Sequence, residues 1–118
     1  MLTSKQIGDF GENAAAEYLE EKGYEIIKRN YKTGAGEIDI IALSPEDVCV
    51  FIEVKTRRNK NFGLACEAVD RKRQLRLLRA AESFSVTGDM RFDVIEIYYS
   101  GSDLIIQEIN HIENAFGA

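Results

Sequence analysis

Three charged residues stand inside two short apolar segments, and their side chains are of the types that hold a divalent cation and assist hydrolysis. Asp39 lies in the segment EIDIIA, and Glu53 and Lys55 lie in the segment VCVFIEVK. If these segments form one hairpin that turns about Glu46, Asp39 lies opposite Glu53 on one face, with Glu37 beside Lys55. The other face then carries only apolar side chains, namely Ile38, Ile40, Val50, Ile52 and Val54.

Two carboxylates that face each other across a hairpin repel, because their Cβ atoms are only about 4.5–5.5 Å apart. A shared proton, the lysine or a bound cation must offset that repulsion. The carboxylates of Asp39 and Glu53, with a backbone carbonyl of the same strand, are hard oxygen ligands that suit Mg²⁺ or Mn²⁺. Lys55 would point into the same site and hold an attacking water or stabilise a pentavalent phosphorus. This combination indicates phosphodiester hydrolysis.

The alternative is that these residues form a cross-strand ladder of ion pairs on an exposed face. The near-continuous hydrophobicity of Val48 to Val54 argues against it, since such a run is typical of a central strand covered on both sides. His111 is the sole histidine and lies near the C-terminus. A zinc centre rich in histidine is therefore excluded, as is a serine or cysteine activated by histidine, unless His111 folds back onto the site.

Charge is distributed unevenly along the chain. The net charge is −5, yet residues 55–79 contain nine Lys or Arg and two Asp or Glu, a local charge of +7 that leaves −12 for the rest. Such a stretch suits local attraction of a polyanion, although a solvated helix face explains it equally well. The basic residues that we expect to meet phosphates are Arg57, Arg58, Lys60, Arg71 and Lys72. Arg73, Arg76 and Arg79 could extend this track, although plain surface is an alternative for Arg73 and Arg76.

The first element that must position these groups is a helix from Thr3 to Lys22. Thr3 and Gln6 fit a capping box, and Gly23 is a natural stop. At about 100° per residue, one face carries Ile7, Phe10, Gly11, Ala14, Ala15 and Tyr18. Glu12 falls at the margin of that face, where its carboxylate can reach under the edge of the core.

The remaining elements predict a mixed sheet. Strands are expected at 24–31, 37–42, 48–55, 91–99 and 103–110, and a second helix from about Ala65 or Ala68 to Phe84. The inner face of that helix is predicted to carry Leu75, Leu77, Leu78, Ala81 and Phe84. The order α-β-β-β-α-β-β indicates an α/β fold with a central sheet of about five strands flanked by helices. We find no domain boundary, so residues 1–118 are predicted to form a single domain.

Composition restricts the class of protein further. With 118 residues and 45% hydrophobic content the chain is long enough to bury a core. It has no apolar run of membrane-spanning length and no apolar signal core after Met1, which favours a cytoplasmic protein without membrane contact. Cys49 and Cys66 are expected to be buried free thiols.

Together these motifs resemble a known family. The segments GEIDIIA (36–42) and VFIEVKTR (50–57) are similar to those of the YraN-like bacterial family, placed in the PD-(D/E)XK or restriction-endonuclease-like superfamily near the Holliday-junction resolvases. The resemblance runs from Gly11 and Glu12 through the strand at Arg91 to Ala115 and Phe116. The leading Pro-Asp of the superfamily is replaced here by Ile38 and Asp39.

The resemblance implies roles for individual residues. Asp39 and Glu53 would bind Mg²⁺ or Mn²⁺, and Lys55 would be the catalytic lysine. Glu12 matches a first-helix glutamate that completes the acidic cluster, and Gln74 matches a polar helix position that often joins the site. An inward glutamine that caps a strand end explains Gln74 equally well. Arg91 and Asp93 also match family positions, where an ion pair at a strand start is our interpretation.

Three functions follow as hypotheses. The first is an endonuclease acting on structured or branched DNA in repair or recombination, for which a two-fold dimer would suit a four-way junction by analogy with resolvases. The second is an inactive nuclease fold that binds nucleic acid or a protein partner. The third is a two-carboxylate glycosidase, which requires a raised pKa at Asp39 or Glu53 and no metal binding.

Overall fold

The fold is a five-stranded mixed sheet with one helix packed on each face. A computed structural model describes residues 2–58, 71–84, 86 and 88–116. The elements are α1 (Ser4–Glu21), β1 (Glu25–Lys32), β2 (Glu37–Leu43), β3 (Cys49–Arg57), α2 (Arg71–Glu82), β4 (Met90–Ser100) and β5 (Ile105–Phe116). The predicted α/β class and element order are confirmed.

The strands lie in the order β1-β2-β3-β4-β5. Only β3 and β4 are parallel, and α2 lies between them in the chain; the other neighbours are antiparallel. The expected start of α2, at Ala65 or Ala68, lies outside the described residues. Strand β5 runs six residues beyond its predicted end, because Phe116 still pairs with Phe92 of β4.

Each helix covers one apolar cluster. Ala15, Ala16 and Leu19 of α1 pack on Ile40 and Ile52, whereas Leu77, Ala80 and Ala81 of α2 pack in a second cluster with Ile41 and Phe51. Strand β3 is therefore covered on both faces, as its hydrophobic run predicts. In the described part of the chain, no helix combines the length and the apolar character needed to cross a bilayer.

Two predicted burial assignments are wrong. Ile38 packs on the α2 side with Ile41, not with Ile40 on the α1 side. Leu75 is 40% exposed. It lies on the rim of a surface groove with Met90 and Phe116 instead of on the inner face of α2. Cys49 is a buried free thiol as predicted, and Cys66 lies outside the described residues.

Helix α1 begins with the predicted capping box between Thr3 and Gln6. Its buried residues are Gly11, Glu12, Ala15, Ala16 and Leu19. The inner face is thus rotated toward Glu12, which is 7% exposed and lies within that face instead of at its margin. Small residues at 11, 15 and 16 permit this rotation because they let the helix approach the sheet closely.

Gly11 is the closest point of that approach. A Cβ atom at position 11 would lie 2.8 Å from the Cβ of Thr56 on β3 and closer still to its hydroxyl. Because the Thr56 Cβ is fixed by the strand backbone, rotation of its side chain cannot relieve the overlap. Gly11 therefore sets the distance between α1 and β3, and with it the depth of the neighbouring Glu12.

A buried ionic network holds α1, β4 and β5 together near the start of β4. Asp93 has no exposed surface and accepts hydrogen bonds from Arg91 (2.8 and 2.9 Å) and from the backbone N–H of Asn114 (2.9 Å). Its Oδ2 lies 2.7 Å from His111 Nε2, and His111 Nδ1 lies 3.1 Å from the Tyr18 hydroxyl. The ion pair predicted for Arg91 and Asp93 is confirmed, and His111 folds onto this network.

We expect Gly11→Ala to destabilise the protein by about 1–3 kcal/mol, since the added methyl group overpacks the contact between α1 and β3. Gly8→Ala is the matched control: it lies in the same helix, and its Cβ would meet nothing within 4 Å. That change should stabilise the protein by up to about 1 kcal/mol through helix propensity. Urea denaturation of both variants measures the difference. Equal effects of the two alanines would contradict the close approach at Gly11.

Candidate metal centre

The site lies where β2 and β3 separate. The pairing of Ile40 with Ile52 ends the ladder, and Asp39 and Glu53 are the next residues in register, as the hairpin prediction requires. The Oδ2 atom of Asp39 accepts a hydrogen bond of 2.8 Å from the Val54 N–H. The Asp39 carboxylate thus accepts the Val54 N–H in place of a carbonyl of the neighbouring strand. This hydrogen bond fixes the carboxylate against β3.

An irregularity in β1 accompanies this separation. Asn30, which lies between the paired residues Arg29 and Tyr31, has a positive φ of 51°. This left-handed conformation is one that asparagine adopts more readily than most residues. The Asn30 amide donates to Glu12 Oε1 (3.1 Å). The register of β1 with β2 is the same on both sides of Asn30, so this residue reaches Glu12 without shifting the pairing of Arg29 with Ile40 and of Tyr31 with Ile38.

Glu53 is a buried carboxylate with incomplete partners. It is 3% exposed, and its Oε1 atom accepts a hydrogen bond from Arg73 Nη2 (2.7 Å) and lies 3.9 Å from Lys55 Nζ. Its Oε2 atom is buried and has no hydrogen-bond partner among the described residues. The alternative of an ion-pair ladder on an exposed face is wrong, because Glu53 is not on an exposed face.

Glu12 is anchored from β1. Its Oε1 atom accepts from Arg29 Nε (2.9 Å) as well as from Asn30, and the Arg29 guanidinium also donates to the Asn13 side chain (2.6 Å). Glu12 and Asp39 line one cleft of about 460 Å³ together with Lys55, Thr56 and the first turns of α1. The structure thus brings together Glu12, Asp39 and Lys55 in one cleft, with Glu53 beside Lys55.

The ionisation of Asp39 reflects this crowding. Burial and the negative charge of Glu53, with a smaller contribution from Glu12, raise the pKa of Asp39 to about 7 from its ordinary value of 3.8. The hydrogen bond from Val54 and the charge of Arg73 act in the opposite direction. Near neutral pH the Asp39 carboxyl is therefore balanced between its protonated and ionised forms.

The structure shows a contact to Glu53 from Arg73, a residue that the sequence left open between a DNA contact and plain surface. Arg73 lies four residues before the buried Leu77, and this spacing placed it on the inner face of α2. Gln74, the residue predicted to join the site, is half-buried and accepts a hydrogen bond of 3.4 Å from Arg71. Its role in the site stays a prediction.

A second buried glutamate was also missed. Glu96 on β4 is fully buried and lies in register with Lys55. Its Oε1 accepts from Asn110 (2.8 Å), and its Oε2 lies 3.6 Å from Arg57 Nε. The signal was available, since Glu96 is a single carboxylate in an apolar strand, as Glu53 is.

The predicted phosphate-binding residues are arranged in different ways. Arg57 is held against Glu96, whereas Arg58, Arg71 and Lys72 are exposed. Arg71 and Lys72 lie in the first turn of α2, next to Arg73. Lys60 lies outside the described residues.

The chemistry of this donor set fits a hard divalent cation. Among residues 2–58, 71–84, 86 and 88–116, no group of three or more His, Cys, Asp and Glu side chains is arranged to hold a metal ion. Asp39 and Glu53 are two carboxylates, and one or two carboxylates are the usual protein ligands of Mg²⁺, with water and substrate phosphates as the others. Glu53 Oε2 has no hydrogen-bond partner among the described residues and Asp39 has a raised pKa, and a bound cation would compensate for both.

The raised pKa of Asp39 predicts how stability depends on pH. Between pH 4 and 7 the folded state binds a proton at Asp39 that the unfolded state has released, so this group lowers the free energy of unfolding as pH rises toward 7. Asp39→Asn removes the charge. We expect the free energy of unfolding of Asp39→Asn, taken relative to that of wild type, to increase by about 1–2 kcal/mol when the pH rises from 5 to 8.

Urea denaturation at both pH values, in chelator, measures this gain. Asp9→Asn is the control, because Asp9 is exposed and paired with Lys5. A gain at Asp9 as large as that at Asp39, or none at Asp39, would contradict the effect of carboxylate crowding.

Comparison with known proteins assigns this chain to a family. Residues 11–97 match the family described as "Uncharacterised protein family UPF0102". The chain is 42% identical over 120 residues to a UPF0102 protein of Caldanaerobacter subterraneus, covering 98% of each chain. It is 44% identical over 121 residues to one of Caldicellulosiruptor bescii, covering 98% of this chain and all of that protein. A UPF0102 protein of Clostridioides difficile is 42% identical over 120 residues, with the same coverage. The chain therefore belongs to the UPF0102 family, as its YraN-like motifs predict.

Proposed function

We propose that this protein is a metal-dependent endonuclease that hydrolyses phosphodiester bonds in DNA. The observation that carries the proposal is the pair of carboxylates at the separation of β2 and β3. Glu53 is buried, and one of its oxygens has no hydrogen-bond partner among the described residues. Burial and neighbouring carboxylates raise the pKa of Asp39 to about 7, and Lys55 lies 3.9 Å from Glu53 and lines the same open cleft as Asp39.

Asp39 and Glu53 are the residues that would bind Mg²⁺ or Mn²⁺. The bound cation would supply an activated water and polarise the scissile phosphate. Asp39 is already fixed by the Val54 N–H, so its carboxylate does not have to reorganise to act as a ligand. Glu12 contributes negative charge at the edge of the cleft and is itself held by Arg29 and Asn30.

Lys55 is suited to stabilise the negative charge that develops on the phosphate. Its side chain is 27% exposed, and its ammonium lies 3.9 Å from Glu53, so it reaches the cleft while remaining next to the carboxylates. A preorganised cation at such a position lowers the barrier because it requires little movement during the reaction. Its removal should therefore reduce the rate of cleavage more than the affinity for DNA.

DNA is the substrate that the charge distribution favours. The described ends of the basic stretch carry Lys55, which lies 3.9 Å from Glu53, and Arg73, which donates to Glu53, and Arg58, Arg71 and Lys72 are exposed near them in sequence. The residues outside 55–79 carry a net charge of −12, so the rest of the chain is acidic. This arrangement favours binding near the site over indiscriminate coating of DNA. Preference for branched DNA, a role in repair or recombination, and a two-fold dimer are part of the proposal and follow from the likeness to Holliday-junction resolvases.

One observation favours a second candidate. A glycosidase needs a carboxylic acid with a raised pKa, and Asp39 meets that condition. The cause of the shift argues for the nuclease, because burial beside two other carboxylates is what a divalent cation would offset. Calorimetric titration with Mg²⁺ or Mn²⁺ separates the two candidates, since the glycosidase does not require the cation.

The test is a cleavage panel of single-stranded, duplex, flap and four-way-junction DNA with Mg²⁺ or Mn²⁺. We expect cutting that EDTA abolishes and that Asp39→Ala and Lys55→Ala each reduce by about 100-fold or more. Lys22→Ala is the control variant, because Lys22 caps the far end of α1. It should cut like wild type. Circular dichroism confirms that each variant is folded.

The outcomes divide the hypotheses. Cutting lost in both site variants and kept in Lys22→Ala supports the nuclease and names its preferred substrate. Absence of cutting on every DNA, with an intact fold and no heat of metal binding, would favour the inactive module that binds nucleic acid or a protein.

A further inference from the structure

A polar cleft of about 410 Å³ lies beside the carboxylates on the α2 side of the sheet. Its walls are the turn from Thr33 to Gly36 and the helix positions Arg73, Arg76 and Leu77, with Glu37 at one end. Arg73 and Arg76 are three residues apart on α2, so their guanidinium groups share one helix face. The cleft thus holds two permanent positive charges and one carboxylate.

The opposite wall has almost no side chains. The turn is closed by its own hydrogen bonds, from Thr33 N–H to the Gly36 carbonyl (2.8 Å) and from Ala35 N–H to the Thr33 hydroxyl (3.0 Å). A Cβ atom at Gly34 would meet nothing within 4 Å. At Gly36 the turn lies against α2, where an added Cβ would be 3.7 Å from the Cβ of Arg76, so this wall presents mainly backbone to the arginines.

Arg73 belongs both to this cleft and to the metal centre. Its side chain is 42% exposed, and Nη2 donates to Glu53 Oε1 at 2.7 Å. In the structure Arg73 therefore supplies positive charge to Oε1 of Glu53, and a cation bound at Oε2, which has no hydrogen-bond partner among the described residues, would act on the same carboxylate. Two cations on one carboxylate repel each other, so metal binding weakens the contact between Arg73 and Glu53.

We propose that Arg73 exchanges partners: it neutralises Glu53 in the absence of metal and binds a backbone phosphate of DNA, together with Arg76, when a divalent cation takes Glu53. The planar guanidinium suits this exchange because it binds carboxylates and phosphates with the same geometry. This inference rests on the proposed function, which supplies DNA as the substrate. The cleft would bind the phosphate next to the one that is cleaved. Arg73 is a positioning residue for Glu53 and a binding residue for DNA.

The test compares Arg73→Gln with Arg76→Gln in two binding measurements that involve no cleavage. Calorimetric titration with Mn²⁺ alone should show severalfold tighter binding in Arg73→Gln, since the competing cation is gone, and unchanged binding in Arg76→Gln. Fluorescence anisotropy with duplex and junction DNA in Ca²⁺ should show both variants about tenfold weaker than wild type. For each variant the slope of log affinity against log salt should become shallower by about 1.

Arg73→Lys checks that charge and not packing causes the change. It keeps the cation, so its Mn²⁺ affinity should stay near that of wild type, while its DNA affinity falls because lysine lacks the fork of donors. Metal affinity in Arg73→Gln that is equal to or weaker than in wild type, or no Mn²⁺ binding by wild type, would overturn the exchange. This test does not depend on cleavage. Tighter Mn²⁺ binding with weaker DNA binding in Arg73→Gln supports the exchange even if the protein cuts no DNA. If wild type cuts DNA but Arg73→Gln and Arg76→Gln bind Mn²⁺ equally well, the exchange is refuted while the proposed nuclease function stands.

Discussion

The constraint on which this structure depends is the burial of negative charge at the separation of β2 and β3. Glu12 and Glu53 are both less than 10% exposed, and burial, together with the charges of Glu53 and Glu12, raises the pKa of Asp39 to about 7. Buried like charges are costly unless cations or hydrogen bonds offset them. Among the described residues, Arg29 offsets the charge of Glu12, and Arg73 and Lys55 offset that of Glu53.

The surrounding fold serves to keep these carboxylates together in spite of their repulsion. Gly11 brings α1 onto Thr56 and so delivers Glu12 into the site, and Asn30 donates a hydrogen bond to the same carboxylate. Strand β3 is covered by α1 and α2, so it cannot move away when its charged end is strained. Rigid elements are what hold a functional site within the tolerance that catalysis needs.

Much of this was predictable because the signals are local. The alternation in β2 and β3 gave the register that aligns Asp39 with Glu53, and the capping box gave the start of α1. What failed depends on tertiary geometry: Ile38 packs on the α2 side of the sheet, and small residues rotate the inner face of α1 toward Glu12. The contact of Arg73 with Glu53 was missed because a charged residue in a basic run is explained equally well by DNA contact or by surface until its partner on β3 is known. The position of Gln74 in the site, the metal, and the DNA remain predictions.

Asp93 on β4 and Asp39 on β2 have pKa values that are shifted in opposite directions, which bears on function. Burial alone would raise the pKa of Asp93, yet hydrogen bonds from His111, Arg91 and Asn114 hold it below its ordinary value. That carboxylate is fully partnered and acts as a brace between β4 and β5. By contrast, the same chain leaves Asp39 with a raised pKa and Glu53 with a buried oxygen that lacks a hydrogen bond among the described residues. The described part of the chain thus supplies a full set of hydrogen-bond donors to one buried carboxylate, Asp93, but not to Glu53. The incomplete set beside Lys55 supports the proposal that a hard divalent cation binds there, since carboxylate oxygens are ligands that such a cation prefers.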